Sequence, residues 1–119
     1  MKMATNKHLE TSTMNALVFN GPGKPAWVSR PKPTLQAPTD AIVRITTTTI
    51  CGSDLHILAG HVPSVTPGRI LGHEGVGIIE EVGTGIVDRH VGDRVIISCI
   101  TSCGRCDFCR KQMFSHCRS

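Results

Sequence analysis

Apolar positions in this chain fall in short runs and alternations, the pattern of half-buried strands, and hold a helical spacing only briefly. Ala16-Leu17-Val18-Phe19 reads as a short strand. Asn20 to Pro25 supplies turn residues, and Ala26-Trp27-Val28-Ser29 resumes the extended pattern, which predicts a hairpin with a longer loop. Trp27 is assigned to packing within it. Pro31, Pro33 and Pro38 break the next stretch into a surface connection. Asp40 to Ile50 is dense in β-branched residues and is the strongest predicted strand. Gly52-Ser53-Asp54 then has the form of a helix start, with Leu55, Ile57 and Leu58 as its apolar face. Gly60 and Pro63 limit that helix to about two turns. His61 to Gly68 is a loop, and Val76 to Gly83 a strand that Gly83-Thr84-Gly85 turns. Val91 to Ser98 reads as a turn followed by a further strong strand, with Cys99 inside it as a buried small hydrophobe. Short strands, glycine-rich turns and one brief helix predict a mainly-β barrel or sandwich.

Composition narrows the picture. A chain of 119 residues suffices for one domain. Aromatic residues are 3% of it, so Val, Ile and Leu must fill the core, which again favours β-structure. The net charge of +4 is modest and its basic residues are scattered apart from Arg110-Lys111, so no nucleic-acid partner is expected. No apolar run approaches the roughly 20 residues that span a bilayer, so no membrane partner is expected either. Residues 1–13 contain no apolar signal region and read as a disordered leader, with His8 a solvated tail residue. The expected compartment is the cytoplasm, where six cysteines indicate metal or redox chemistry more than disulfides.

Four of those cysteines form a cluster, Cys103-x2-Cys106-x2-Cys109-x7-Cys117, in a loop-like segment. Closely spaced cysteine pairs let one turn present two sulfurs to one ion, and four thiolates suit tetrahedral Zn²⁺ in a closed structural site. Binding there would order a lobe that has little apolar material of its own. An iron–sulfur cluster also takes four thiolates, but the ferredoxin spacing ends differently. Two disulfides would need an oxidising compartment. His116, beside Cys117, is a lesser ligand candidate.

A second, open constellation runs from Cys51 to Glu74. Cys51 and His73 can both ligate a transition metal, Glu74 can reach the metal or order water around it, and Asp54 can orient the histidine through its other ring nitrogen. Taken singly, Cys51 would be a buried thiol and His73 a core histidine. Ser53 and His56 likewise read as a helix cap and a surface residue. A thiolate and an imidazole leave the ion short of ligands, and His61 and His90 qualify as a third only by residue type. Gly75-Val76-Gly77 lacks the third glycine and the following helix of a dinucleotide fingerprint.

Cys51-Gly52-Ser53-Asp54-Leu55-His56, Gly72-His73-Glu74-Gly75 with Gly77, Gly92-Asp93-Arg94-Val95 and the four-cysteine cluster follow one another in order. That series resembles the N-terminal, GroES-like part of the zinc-dependent alcohol dehydrogenases of the medium-chain dehydrogenase/reductase family, over residues 14–119. The resemblance implies a GroES-like, partly open β-barrel with one short helix and a zinc-binding loop. It implies that Cys51 and His73 ligate a catalytic zinc with Glu74 beside the metal, and that Asp54 orients His73. Ser53 would accept the substrate hydroxyl proton, with His56 further along the relay to solvent. Cys103, Cys106, Cys109 and Cys117 would hold a structural zinc. The implied activity is hydride transfer between an alcohol or aldehyde and NAD or NADP, with zinc as Lewis acid. Family members continue into a Rossmann domain and form homo-oligomers, and their third catalytic ligand lies beyond the point corresponding to Ser119. The chain is therefore expected to be a truncated catalytic domain, inactive by itself and with exposed edges. The competing expectation is a non-enzymatic zinc-binding module.

Overall fold

The computed structural model describes residues 12–118. In chain order the elements are β1 (Thr13–Phe19), β2 (Pro25–Pro31), β3 (Ala41–Thr48), α1 (Gly52–Leu58), β4 (Arg69–Ile70), β5 (Gly75–Val82), β6 (Arg94–Ile97), α2 (Asp107–Arg110) and a 3₁₀ turn (Phe114–His116). The fold is mainly β, in two three-stranded sheets that are not closed. It divides into two units: the described residues up to Thr34 with His56–Leu71, and Leu35–Leu55 with residues 72–118. No helix among the described residues is long and apolar enough to cross a membrane.

In the first unit β1 lies between β2 and β4, antiparallel to both. Alternation along β1 sends Ala16 and Val18 into the core, joined by Phe19 at its end. The hairpin loop closes through Asn20 N–H to Lys24 O at 3.0 Å and Lys24 N–H to Gly21 O at 3.0 Å. Trp27 does not pack as expected: it is 70% exposed. It pairs with Leu17, on the face opposite Ala16 and Val18, so the register carries it outward. Most of the leader expected over residues 1–13 lies outside the described residues. Its last position, Thr13, already pairs with Pro31, so the hairpin opens before Met14. Strand β4 was not legible because two residues carry no alternation.

Helix α1 ends in a Schellman turn, with His61 N–H donating to His56 O and Gly60 N–H to Ile57 O, both at 2.9 Å. Gly60 takes the left-handed conformation this requires, at φ +82°, and a Cβ there would lie 2.8 Å from Pro22 Cγ. The expected apolar face of the helix is only partly covered. Leu55 is 59% exposed, and the buried side chain of the helix is the polar Asp54.

In the second unit β5 pairs antiparallel with β3 on one side and β6 on the other. Ile79 of β5 is buried. The β3–β5 register shifts between Ile45 and Thr47, leaving Thr46 free to donate its hydroxyl to Val76 O at 3.1 Å. Gly77 is required beside this irregularity: a Cβ there would stand 2.5 Å from Arg44 O and from Val43 Cγ1. Gly75-Val76-Gly77 lies inside β5 and is followed by more strand, so it is not a phosphate-binding turn. Strand β6 is an edge, with Ile96 82% exposed. It stops at Ile97, so Cys99 is neither in the strand nor buried but on an exposed bend.

Candidate metal centres

Two groups of donor side chains converge among the described residues, both in the second unit. In the first, Cys51, His73 and Glu74 bring one donor atom each to within 4.8 Å of one another. The convergence starts at the helix N-terminus. Cys51 occupies the cap position, and the Asp54 carboxylate, three residues on, reaches back so that its Oδ2 accepts the Cys51 N–H at 2.9 Å. Asp54 Oδ1 is buried without a hydrogen bond and lies 3.4 Å from His73 Nδ1, a charge contact lacking hydrogen-bond alignment. On the other side, the Thr48 hydroxyl at the end of β3 donates to Glu74 O at 2.6 Å and anchors the segment carrying His73 and Glu74. Thr48 escaped the sequence reading because a threonine in a β-branched run registers only as strand propensity.

The electrostatics bind the pair further. Hydrogen bonding from the Ser53 backbone, then from its hydroxyl and from His73, holds the Cys51 thiol below its ordinary 9.0. His73 is raised above 6.5, first by the Cys51 sulfur and then, against some desolvation, by the charges of Asp54 and Glu74. Ser53 Oγ stands 3.6 Å from Cys51 Sγ. A cleft of about 430 Å³ opens here, walled by His73, Glu74, Thr48, Val76, Ile96 and Cys99.

The second group is Cys103, Cys106, Cys109 and Cys117, whose four sulfurs also lie within 4.8 Å of one another. Four thiolates about 2.3 Å from one tetrahedral Zn²⁺ stand about 3.8 Å apart, so small shifts close this set on an ion. Backbone amides already face the sulfurs. Cys109 N–H donates to Cys106 Sγ at 3.4 Å, which makes Cys106 the cap of α2, and Cys103 N–H donates to Cys117 Sγ at 3.2 Å. Hydrogen bonds from the Cys109 backbone first, then from that of Arg118, lower the Cys106 thiol below 9.0. Burial pushes Cys109 the other way, to about 11, so its thiol must lose a firmly held proton to ligate. The segment expected as loop contains this short α2, the 3₁₀ turn and a pin: Arg118 contacts Asp107 Oδ2 at 2.9 Å and covers the Phe108 ring at 5.0 Å.

Among the described residues, no other histidine joins either group. His116 stacks on Phe108 and shares a hydrogen bond with Ser115, leaving four cysteines as the donors. His90 lies 3.9 Å from Asp93 Oδ2. His56 and His61 are exposed and face each other, Nδ1 to Nδ1, at 3.2 Å.

The family model described as the alcohol dehydrogenase GroES-like domain matches residues 37–119. A zinc-type alcohol dehydrogenase-like protein of Schizosaccharomyces pombe is 43% identical over 107 residues, covering 89% of this chain and 25% of that protein. Among solved structures, the apo form of a zinc-dependent alcohol dehydrogenase from Streptococcus pneumonia superposes with a TM-score of 0.84 at 49% identity, over 91% of this chain and 31% of that one. A zinc-binding dehydrogenase from Sinorhizobium meliloti, bound to NADP, gives a TM-score of 0.74 at 34% identity, over 91% of this chain and 31% of that one. The chain thus spans about a quarter of the curated relative's length and under a third of the solved structures. Its sheets, its ordered motifs and this match make the chain a member of the alcohol dehydrogenase GroES-like domain family.

Proposed function

We propose that this chain is the zinc-binding part of the catalytic domain of an alcohol dehydrogenase-type oxidoreductase, acting on a small alcohol or aldehyde. The observation that carries the reading is the convergence of Cys51, His73 and Glu74 with the buried Asp54 carboxylate between the two ligating residues. The donor set fits zinc: a thiolate of lowered pKa, an imidazole backed by a carboxylate, and a further carboxylate. Zinc held there supplies Lewis-acid polarisation of an alcohol or carbonyl oxygen, and a nicotinamide supplies or accepts the hydride. The NADP bound by the Sinorhizobium meliloti relative supports a nicotinamide cofactor, NAD or NADP.

The chain's own residues have distinct tasks in this reading. Cys51 and His73 hold the metal, Glu74 lies beside it, and Asp54 fixes the helix start and the histidine together. Ser53 takes or returns the substrate hydroxyl proton. His56, exposed at the end of the helix, exchanges that proton with solvent. The four-cysteine cluster holds a second zinc, whose donors leave no coordination position for substrate, so its work is to order its lobe. The functional protein is a cytoplasmic homo-oligomer, and the 119-residue chain alone carries out no hydride transfer.

Zinc analysis tests the assignment. Two ions per chain are expected, one lost in Cys51→Ser and the other in Cys106→Ser. A single ion insensitive to Cys51→Ser would favour the non-enzymatic zinc module instead. Oxidation of any alcohol by the purified chain with NAD⁺ or NADP⁺ would overturn its proposed inactivity.

A further inference from the structure

The Schellman turn that ends α1 brings two side chains of its flanking positions together, and such turns commonly use that closeness for a hydrophobic contact. Here the two positions are His56 and His61, joined by the backbone bond from His61 N–H to His56 O. Their rings stand 5.5 Å apart between centroids, tilted by 43°, with the two Nδ1 atoms 3.2 Å apart. Both residues are exposed, so an ion can reach the gap.

We propose that His56 and His61 form a solvent-exposed two-histidine clip for a borderline divalent transition-metal ion, separate from the two cysteine-containing centres. The nitrogen spacing is that of a chelate. Two imidazole nitrogens bound about 2.05 Å from one ion stand about 2.9 Å apart at a right angle and about 3.3 Å apart at the tetrahedral angle. The observed 3.2 Å falls between these values. Without metal, the same distance allows one Nδ1–H to donate to the other, so the turn holds the rings together before an ion arrives. The backbone also fixes the spacing: Gly60, at φ +82°, sets the turn whatever occupies the two histidine positions. With two imidazoles and no carboxylate or thiol in the pair, the clip favours Ni²⁺ or Cu²⁺ over Ca²⁺ or Mg²⁺, with water completing the shell.

The test uses the zinc-loaded full chain and Ni²⁺ alone as probe, read by imidazole ¹⁵N resonances. Ni²⁺ should broaden His56 and His61 together, saturating at one added ion per chain. His56→Gln and His61→Gln should each weaken that binding by at least about tenfold, because either change turns a chelate into a single ligand. Backbone spectra of both variants check that the turn persists, and a variant that fails to fold is replaced by the corresponding Asn. Broadening of one histidine without the other, or equal affinity in wild type and His61→Gln, would overturn the clip. So would an absence of Ni²⁺ binding at these two rings.

Discussion

Asp54 Oδ1 lies 3.4 Å from His73 Nδ1 while its Oδ2 accepts the Cys51 backbone N–H, so one buried carboxylate touches two of the three residues of the candidate metal centre. Asp54→Asn keeps an oxygen for the helix cap and removes the charge facing His73. Removing such an outer partner typically weakens metal binding about 10–100-fold. That loss is expected at the Cys51–His73 centre alone, with the four-cysteine cluster unaffected, in chelator competition. Equal loss at both centres would mean that the substitution acts through general stability.

His73 can ligate only as neutral imidazole, and its pKa is raised above 6.5 in the metal-free chain. The sign follows. Folding favours protonated His73, a stabilisation complete below 6.5 and lost as pH rises through the higher folded value. For Cys51 the order reverses: its stabilisation is complete above 9.0 and lost as pH falls through the lower folded value. Zinc must displace the His73 proton, so its affinity should fall on acidification from above pH 6.5. Zinc titrations against a competing chelator across neutral pH would read this, and a flat affinity would contradict it.

The cysteines should separate by reactivity once metal is stripped. Cys51 and Cys106 have lowered pKa values, whereas Cys109 is buried with its thiol pushed up to about 11. Iodoacetamide near neutral pH should label Cys51 and Cys106 well before Cys109. Peptide mass spectrometry over time gives the order. Early labelling of Cys109 would mean that the metal-free lobe opens.

Gly77→Ala should destabilise the second unit, because the new Cβ would meet the Arg44 carbonyl and Val43 Cγ1, both at 2.5 Å. Overpacking of this kind costs about 1–3 kcal/mol, and here one neighbour is backbone that cannot rotate away. Urea unfolding of the zinc-loaded chain measures the change; an unchanged midpoint would show that β3 shifts freely.

Gln112 ends α2 in the left-handed conformation, at φ 62°, with its N–H bonded to Cys109 O at 2.9 Å. A side chain there costs about 1–2 kcal/mol, against about 0.5–1 kcal/mol for the extra freedom glycine brings to the unfolded chain. Gln112→Gly is therefore expected to stabilise the cysteine lobe by about 0.5–1 kcal/mol. Slower zinc loss to a chelator would accompany it. A destabilised variant would assign Gln112 a contact that outweighs its strain.

The sequence by itself determined most of the strands and the four-cysteine group. The β-branched run from Asp40 and the hairpin around Asn20 to Pro25 are local patterns, and local patterns survive whatever packs on them. Cys103 to Cys117 is local too, its spacing bringing the sulfurs together over two short turns. Alternation, however, says only that residues take opposite sides, never which side is covered. Pairing with Leu17 put Trp27 outside, the end of β6 at Ile97 left Cys99 exposed, and Asp54 rather than Leu55 became the buried side chain of α1. The open centre divides the same way. Cys51, His73, Glu74 and Asp54 were legible as residue types. That one carboxylate touches both Cys51 and His73, and that Thr48 holds Glu74, was decided by the β3–β5 register and by the meeting of segments distant in sequence.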